Sequence, residues 1–149
     1  LSCTLFFISK EDIKTMLISE NKLRLFALSG ILYLTFEGLT NRKTNTIDLI
    51  KNNFCAMIII FFMLYAISYI SNKLLGINSL GIGDIKLSSF SSIWLGLKLS
   101  LISLTISFSL SAIYSIYGKV NKRFKPFHQY PFAPFLSIGI IICWILDKI

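Results

Sequence analysis

Apolar segments alternate with short polar segments along the chain, and this pattern predicts a bundle of membrane-spanning helices. The long apolar segments are residues 25–40, 54–70, 85–97, 99–117 and 132–146. A helix needs about 20 apolar residues to cross a bilayer, with about 17 as the lower limit, so residues 85–97 are short for a span. Residues 1–8 are also too short, and we expect them to end a helix or to lie at the membrane interface.

The composition supports a membrane protein. Hydrophobic residues make up 54% of the 149 residues and charged residues 15%, and the mean hydropathy is +0.71. Soluble domains carry about 25% charged residues, and a fold this small cannot bury so much apolar surface. These values exclude a disordered chain, a nucleic-acid-binding tail and most soluble enzymes. We therefore predict an all-α, multi-pass transmembrane bundle, with residues 1–149 forming a single membrane-embedded domain.

The distribution of basic residues predicts the orientation of this bundle. If the polar segment around Asp12 is cytoplasmic, residues 71–84 and 118–130 also lie on the cytoplasmic side. That side then holds ten lysines and arginines, and the opposite side holds five. An excess of basic residues in cytoplasmic loops is typical of membrane proteins. It explains the net charge of +8 with lipid as the partner and without any nucleic acid.

Two acidic residues stand out as candidates for chemistry. Asp84 follows Gly81 and Gly83, and glycines permit positive φ values and a tight turn that can direct the aspartate along the membrane face. Asp is also a preferred N-cap residue, so capping is the structural alternative. Glu37 lies inside an apolar segment, where an acidic residue is a functional candidate, although it is close enough to Thr40 to reach the interface.

Other residue types give weaker signals. The three cysteines lie far apart without a CxxC pair, so we expect buried thiols and no metal site. We expect the single histidine, His128, to be a loop residue. Four serines spaced along one face of a span favour close helix packing, namely Ser100, Ser103, Ser107 and Ser111.

Three segments, taken together, resemble one family. Residues 81–87 resemble the GxGDxKL signature of the type IV prepilin peptidases, which are membrane aspartyl proteases. Residues 12–20 resemble the segment of that family that carries its first aspartate. Residues 131–139 resemble the PFGPFLxxG stretch that opens its last helix. The three segments occur in the family's order and extend over nearly the whole chain.

The resemblance implies an aspartyl endopeptidase with Asp12 and Asp84 as its catalytic pair and Gly81 and Gly83 as the active-site turn. It implies a substrate of prepilin or pseudopilin type, whose basic leader is removed on the cytoplasmic face of a bacterial inner membrane. It implies no cofactor. The sequence does not specify the oligomeric state.

Lys14 and Lys86 each lie two residues from one of these aspartates. One hypothesis is that they lower the pKa of an aspartate or contact the substrate. The other is that they extend to the lipid headgroups, as lysines near helix ends commonly do.

The chain also departs from the family pattern. Ser19 replaces the usual proline, Glu20 replaces the usual aspartate, and Lys14 stands where many members carry an acid. The paired CxxC motifs that accompany N-methylation of the cleaved pilin have no counterpart here, which indicates a short form of the peptidase or a piece of a longer chain. The alternative function is a non-catalytic multi-pass membrane subunit, or a degenerate relic of the family.

Overall fold

The computed structural model describes residues 1–15, 18–40, 46–75, 80–121 and 131–148. They form five α-helices: α1 (Ser2–Thr15), α2 (Glu20–Thr40), α3 (Thr46–Leu75), α4 (Ile82–Val120) and α5 (Ala133–Lys148). No strand occurs in these ranges, so the prediction of an all-α fold is confirmed.

The helices give the bundle two distinct ends. At the aspartate end, Asp12 and Asp84 line one cavity, and the Ala133 amide donates a hydrogen bond to Asp12. At the lysine end, Lys148 forms an ion pair with Glu37. Because Ala133 and Lys148 are the first and last residues of α5, this helix runs from the aspartate end to the lysine end.

The first arm of α4, residues 82–95, runs in the same direction as α2. Near the start of both helices, the Lys86 Nζ lies 2.7 Å from the Glu20 Oε1. Further along both helices, the Trp94 ring stacks on the Phe26 ring with 6.1 Å between the centroids. This arm therefore carries the chain away from the aspartate end.

The second arm of α4, residues 97–120, runs antiparallel to α5. The Phe108 ring lies 5.1 Å from the ring of Phe132, just before α5, whereas Gly139, one to two turns into α5, packs against Ser103. Residues earlier in this arm thus contact residues later in α5. This arm returns the chain to the aspartate end.

Gly96 forms the reversal between the two arms. Its φ of 70° and ψ of 179° are not helical, and this region of backbone space is accessible essentially only to glycine. The Asn53 side-chain amide closes the reversal by donating a hydrogen bond of 3.0 Å to the carbonyl oxygen of Ile93. The apolar segments predicted at residues 85–97 and 99–117 are therefore two arms of one helical element, joined at Gly96.

Several helix boundaries differ from the sequence-based expectations. The polar residues 9–15 continue α1, residues 46–53 begin α3, and residues 71–75 end it, although all were expected outside the apolar helices. Lys, Glu, Asp and Asn side chains are tolerated in helices once one face packs, and Ser9 of α1 is anchored to Ser137 of α5 at 2.7 Å. Hydrophobicity therefore predicted the apolar part of each helix rather than its full length.

Three helices of the described chain are long and apolar enough to cross a membrane by length and composition: α2, α3 and α4. Helix α5, which covers the last predicted span, has 16 residues and falls slightly below the usual length for a span. Large apolar side chains such as Leu32, Phe36, Phe62 and Ile113 lie exposed on the outside of the bundle. An exposed apolar exterior is what lipid contact requires, and it supports a multi-pass membrane protein.

The predicted serine face of α4 packs closely against α5. All four of its serines are buried. A β-carbon added at Gly139 would lie 2.5 Å from the Ser103 carbonyl oxygen and would also clash with the Ser107 Oγ. Small residues on both sides let the two backbones approach, and the packing prediction is confirmed for Ser103 and Ser107.

Candidate active site

Asp12 lies near the end of α1 and is held against the start of α5. Its side chain is only 5% exposed, and its Oδ2 accepts a hydrogen bond of 3.0 Å from the Ala133 backbone amide. One turn earlier in α1, the hydroxyl groups of Ser9 and Ser137 lie 2.7 Å apart. Two contacts between α1 and α5 thus determine where the Asp12 carboxyl points.

Asp84 lies in the first turn of α4. Gly81 is the N-cap, with φ −69° and ψ 143°, and no side chain caps this helix. The alternative of Asp84 as the N-cap residue is therefore wrong. Its carboxyl group accepts a hydrogen bond from the Gly81 backbone amide, whereas its Oδ1 is buried without a hydrogen-bond partner in the described part of the chain.

The two glycines before Asp84 provide space. Within the described residues, Gly96 is the glycine with positive φ, so the expected positive-φ turn at Gly81 and Gly83 is not used. A β-carbon at Gly81 would lie 3.2 Å from the Asp84 Oδ2, and one at Gly83 would lie 3.3 Å from the Ile18 side chain. Small residues here let the carboxyl fold back over the helix start and let the segment before α2 approach.

Both carboxyl groups line one cavity of about 550 Å³ at the aspartate end. Its walls come from α1, the segment before α2, the C-terminal half of α3 and the start of α4. They include Asp12, Ile18, Tyr65, Ser68, Tyr69, Asn72, Leu80, Gly81, Gly83 and Asp84. The cavity therefore joins the two aspartates that lie far apart in the sequence, and an even number of predicted spans between them is consistent with their shared end.

The surroundings of the carboxyl groups favour keeping a proton in the site. Burial raises the pKa of the Asp12 carboxyl, and the hydrogen bond from the Ala133 amide offsets part of this effect. Asp84 is buried as well, and the charge of Asp12 acts on it across the cavity. Two neighbouring carboxyl groups do not ionise together easily, so such a pair tends to hold one proton between them.

The two lysines beside the aspartates do not line this cavity. Lys86 points to the opposite face of α4 and pairs with Glu20, which also contacts Arg24 at 3.4 Å. This charged group lies at a separate cavity of about 410 Å³ between α2, α3 and α4. Lys14 is exposed on α1. The contact with Glu20 accounts for Lys86 without a direct interaction with an aspartate.

Glu37, the other acidic candidate from the sequence, lies at the lysine end. Its Oε1 is 3.1 Å from the Lys148 Nζ, so it is paired with a base and distant from the aspartate cavity. His128 lies outside the described residues. Within those residues, no group of three or more His, Cys, Asp or Glu side chains could hold a metal ion, and the three cysteines are free. Cys143 is buried as expected, whereas Cys3 and Cys55 are exposed on the outside of the bundle.

Sequence inspection did not identify the α3 side of the cavity. Tyr65, Ser68, Tyr69 and Asn72 line it, and the Ser68 hydroxyl donates a hydrogen bond of 3.4 Å to the Leu80 carbonyl just before the glycine turn. The signal was present, because these residues recur at helical spacing at the end of an otherwise apolar span. The Ala133 amide left no such signal, since any residue except proline carries one.

Comparison with known proteins and protein families identifies the family of this chain. Neither the curated proteins nor the solved structures include a significant match to this chain. The family model described as the type IV leader peptidase family matches residues 1–116. The match contains both aspartates and the glycine turn, and it ends before residues 131–139. Because it covers well over half of the sequence, the chain belongs to the type IV leader peptidase family.

Proposed function

We propose that this protein is an aspartyl endopeptidase that uses Asp12 and Asp84 to remove the leader peptide from a prepilin- or pseudopilin-like substrate. The observation that carries the proposal is the shared cavity, since both carboxyl groups line it. Membership of a leader peptidase family supports proteolysis of a leader-bearing substrate. Cleavage at the cytoplasmic face of a bacterial inner membrane is part of the proposal and is supported by the ten-to-five distribution of basic residues.

The proposed chemistry needs one ionised and one protonated carboxyl group. The ionised group takes a proton from water, and the resulting oxygen nucleophile attacks the scissile carbonyl carbon. The protonated group donates to the carbonyl oxygen as negative charge develops there. A cavity of about 550 Å³ has room for a peptide segment and a water molecule beside the two carboxyl groups.

The position of the cavity suits a substrate that is polar on one side of the scissile bond and apolar on the other. Ser68 and Asn72 contribute polar groups to the cavity near the end of α3 and the start of α4. Near the middle of α3, further from the aspartate end, the outer surface of the helix is apolar and includes Ile58, Ile59 and Phe62. A leader at the membrane surface followed by an apolar helix in the bilayer matches this arrangement.

The test is cleavage of a defined substrate by the purified protein in lipid vesicles. The substrate is a prepilin-like peptide with a basic leader and an apolar helix, and the product's N-terminal sequence is read. We expect a single new N-terminus with the wild-type protein and none with Asp84→Asn. Asp147→Asn is the matched control, because it makes the same change at an exposed residue of the lysine end, and it should cleave like the wild type.

Two outcomes would overturn the proposal. Wild-type protein that inserts and folds but leaves several such substrates intact would favour a non-catalytic subunit. Undiminished cleavage by Asp84→Asn would show that the proteolysis uses other residues.

A further inference from the structure

The start of α5 contacts the candidate site although it lies beyond the part of the chain that the family model matches. Residues 131–139 resemble a family segment, and the proposed chemistry of Asp12 and Asp84 assigns no role to them. In the structure this segment contains Ala133, whose backbone amide donates to the Asp12 Oδ2 at 3.0 Å. Ala133 is fully buried, so water does not compete for this hydrogen bond.

At the start of α5, the Ala133 amide donates its hydrogen bond to Asp12 rather than to a backbone carbonyl group. The amides of Phe135 and Leu136 both donate to the Phe132 carbonyl oxygen, at 3.0 and 3.2 Å. Pro134 has no amide hydrogen to donate. The first N–H groups of a helix lack partners inside the helix, and here the Ala133 N–H is satisfied by the Asp12 carboxyl.

The two carboxyl groups therefore have unequal surroundings. Each carboxyl group accepts a backbone hydrogen bond at a helix N-terminus, Asp12 from Ala133 of α5 and Asp84 from Gly81, the N-cap of α4, so a donor and a helix dipole favour negative charge at both. The difference lies in the other carboxyl oxygen. Asp84 has a buried Oδ1 without a hydrogen-bond partner in the described chain. A buried carboxylate oxygen without a donor is costly, whereas a protonated carboxyl group tolerates such surroundings better.

We propose that the start of α5 completes the active site, with the Ala133 amide positioning Asp12 as the ionised carboxylate and leaving Asp84 as the proton-carrying acid. This inference rests on the proposed function, because it assigns the two roles within the same catalytic pair. Ala133 is a positioning residue, since it acts through Asp12.

The assignment gives a balanced reaction. The Asp12 carboxylate takes a proton from water, the oxygen bonds to the carbonyl carbon, and Asp84 transfers its proton to the carbonyl oxygen to form a gem-diol. Asp12 then passes its proton to the amide nitrogen as the C–N bond breaks, and one gem-diol hydroxyl returns a proton to Asp84. The products are a carboxylic acid and an amine, and both aspartates regain their starting states.

Other titratable groups face Asp12 and must be considered in any pH profile. On α1, Glu11 is next to Asp12 and pairs with Lys22 of α2 at 3.1 Å, and the cavity walls contribute Asp84, Tyr65 and Tyr69. Residues 131–139 carry no titratable side chain. The contribution of the α5 start to Asp12 is therefore its backbone amide, which a proline can remove.

The test is Ala133→Pro, compared with Ala133→Gly as the matched control. Proline is favoured at the first position of a helix and lacks the N–H, whereas glycine retains it. We expect the acidic limb of the kcat/KM profile to move about one to two pH units higher in Ala133→Pro, because a lost hydrogen bond to a charged group raises the Asp12 pKa. The limb should stay in place in Ala133→Gly.

An unchanged acidic limb in Ala133→Pro, or an equal loss of activity at every pH, would overturn the assignment. Infrared spectroscopy provides a second measurement that needs neither substrate nor the proline variant. At mildly acidic pH, the absorption of a protonated carboxyl group should disappear in Asp84→Asn and remain in Asp12→Asn, and the reverse pattern would overturn the proposal.

These measurements also separate the inference from the proposed function. Wild-type cleavage with an unchanged profile in Ala133→Pro would contradict only the role of α5. Absence of wild-type cleavage would contradict the proposed function, and the infrared comparison would still test which aspartate holds the proton.

Discussion

The two ends of the bundle treat their acidic residues in opposite ways. At the lysine end, Glu37 pairs with Lys148, whose Nζ also lies 5.2 Å from the centre of the Tyr33 ring. Tyr33 in turn stacks on Trp94 with 4.9 Å between the centroids, and Gly30 leaves room for the indole. Each member of this group has a partner, so these contacts join α2, α4 and α5 at the lysine end.

At the aspartate end the acids face a cavity and lack basic partners among the groups that line it. Each aspartate has one backbone donor, Ala133 for Asp12 and Gly81 for Asp84, and the Asp84 Oδ1 has no hydrogen-bond partner within the described ranges. Stability alone would favour paired or uncharged groups at such positions. The proposed site therefore uses the two buried acids beside the cavity, which have no basic partner among its lining residues, rather than Glu37, which is paired with Lys148.

The largest effect that distinguishes the two ends should come from removing a carboxylate. Asp12→Asn and Asp84→Asn are each expected to lower the cleavage rate by about 10³-fold or more, because asparagine can neither accept nor donate the transferred proton. The double variant should be no slower than the slower single variant, since members of one catalytic unit are not additive. Single-turnover cleavage in vesicles measures these rates.

Glu37→Gln and Glu20→Gln are the controls for this prediction and should retain most of the activity. An inactive Glu37→Gln together with an active Asp84→Asn would reverse the comparison and place the chemistry at the lysine end.

A smaller effect is expected from Gly96→Ala at the reversal of α4. Alanine at φ 70° and ψ 179° is strained, and we expect the free energy of unfolding to fall by about 1–3 kcal/mol. Because the reversal lies next to Trp94, the damage should affect the lysine end, and activity per folded molecule should persist. Thermal unfolding in detergent, followed by circular dichroism, measures the loss. Gly38→Ala, in the regular helix α2, is the control and should show no such strain; an equal loss there would contradict the explanation.

The pH dependence of stability tests the burial of Asp12. Burial raises its pKa, so between the ordinary and the raised value the folded protein holds a proton that the unfolded chain has released. The free energy of unfolding attributable to this group therefore falls as pH rises through that window, by about 1.4 kcal/mol for each pH unit between the two pKa values. Asp12→Asn should lose this dependence. Melting temperatures across mildly acidic to neutral pH provide the measurement, and identical pH profiles in both proteins would contradict it.

The smallest effect is expected from breaking the ion pair at the lysine end. Lys148→Met and Glu37→Gln should each change the free energy of unfolding by about 1 kcal/mol or less, because the pair is partly exposed. Neither change should alter the acidic limb of the cleavage profile. A double-mutant cycle on unfolding measures the coupling between the two residues, and a displacement of that limb in either variant would show that the ends communicate.

Several features of the molecule followed from the sequence. Apolar segments at regular intervals predicted an all-α membrane bundle, because burying backbone hydrogen bonds in lipid leaves helices as the simplest solution. The turn around Gly81 and Asp84, together with the segment around Asp12, indicated the family that the comparison then showed. These signals are local, so they survive in a linear sequence without any knowledge of packing.

Other features depended on contacts between distant segments. Continuation of α1 through its polar residues depends on packing against α5. The reversal at Gly96 needs a backbone conformation that glycine permits, but a glycine in the sequence does not by itself predict that conformation. The sequence by itself determined the helical class and the two aspartates as candidates. Only the tertiary structure decided that both aspartates line one cavity with α3, that the Ala133 amide donates a hydrogen bond to Asp12, and that Glu37 pairs with Lys148. These partners depend on which helix faces meet, and the linear sequence does not specify that.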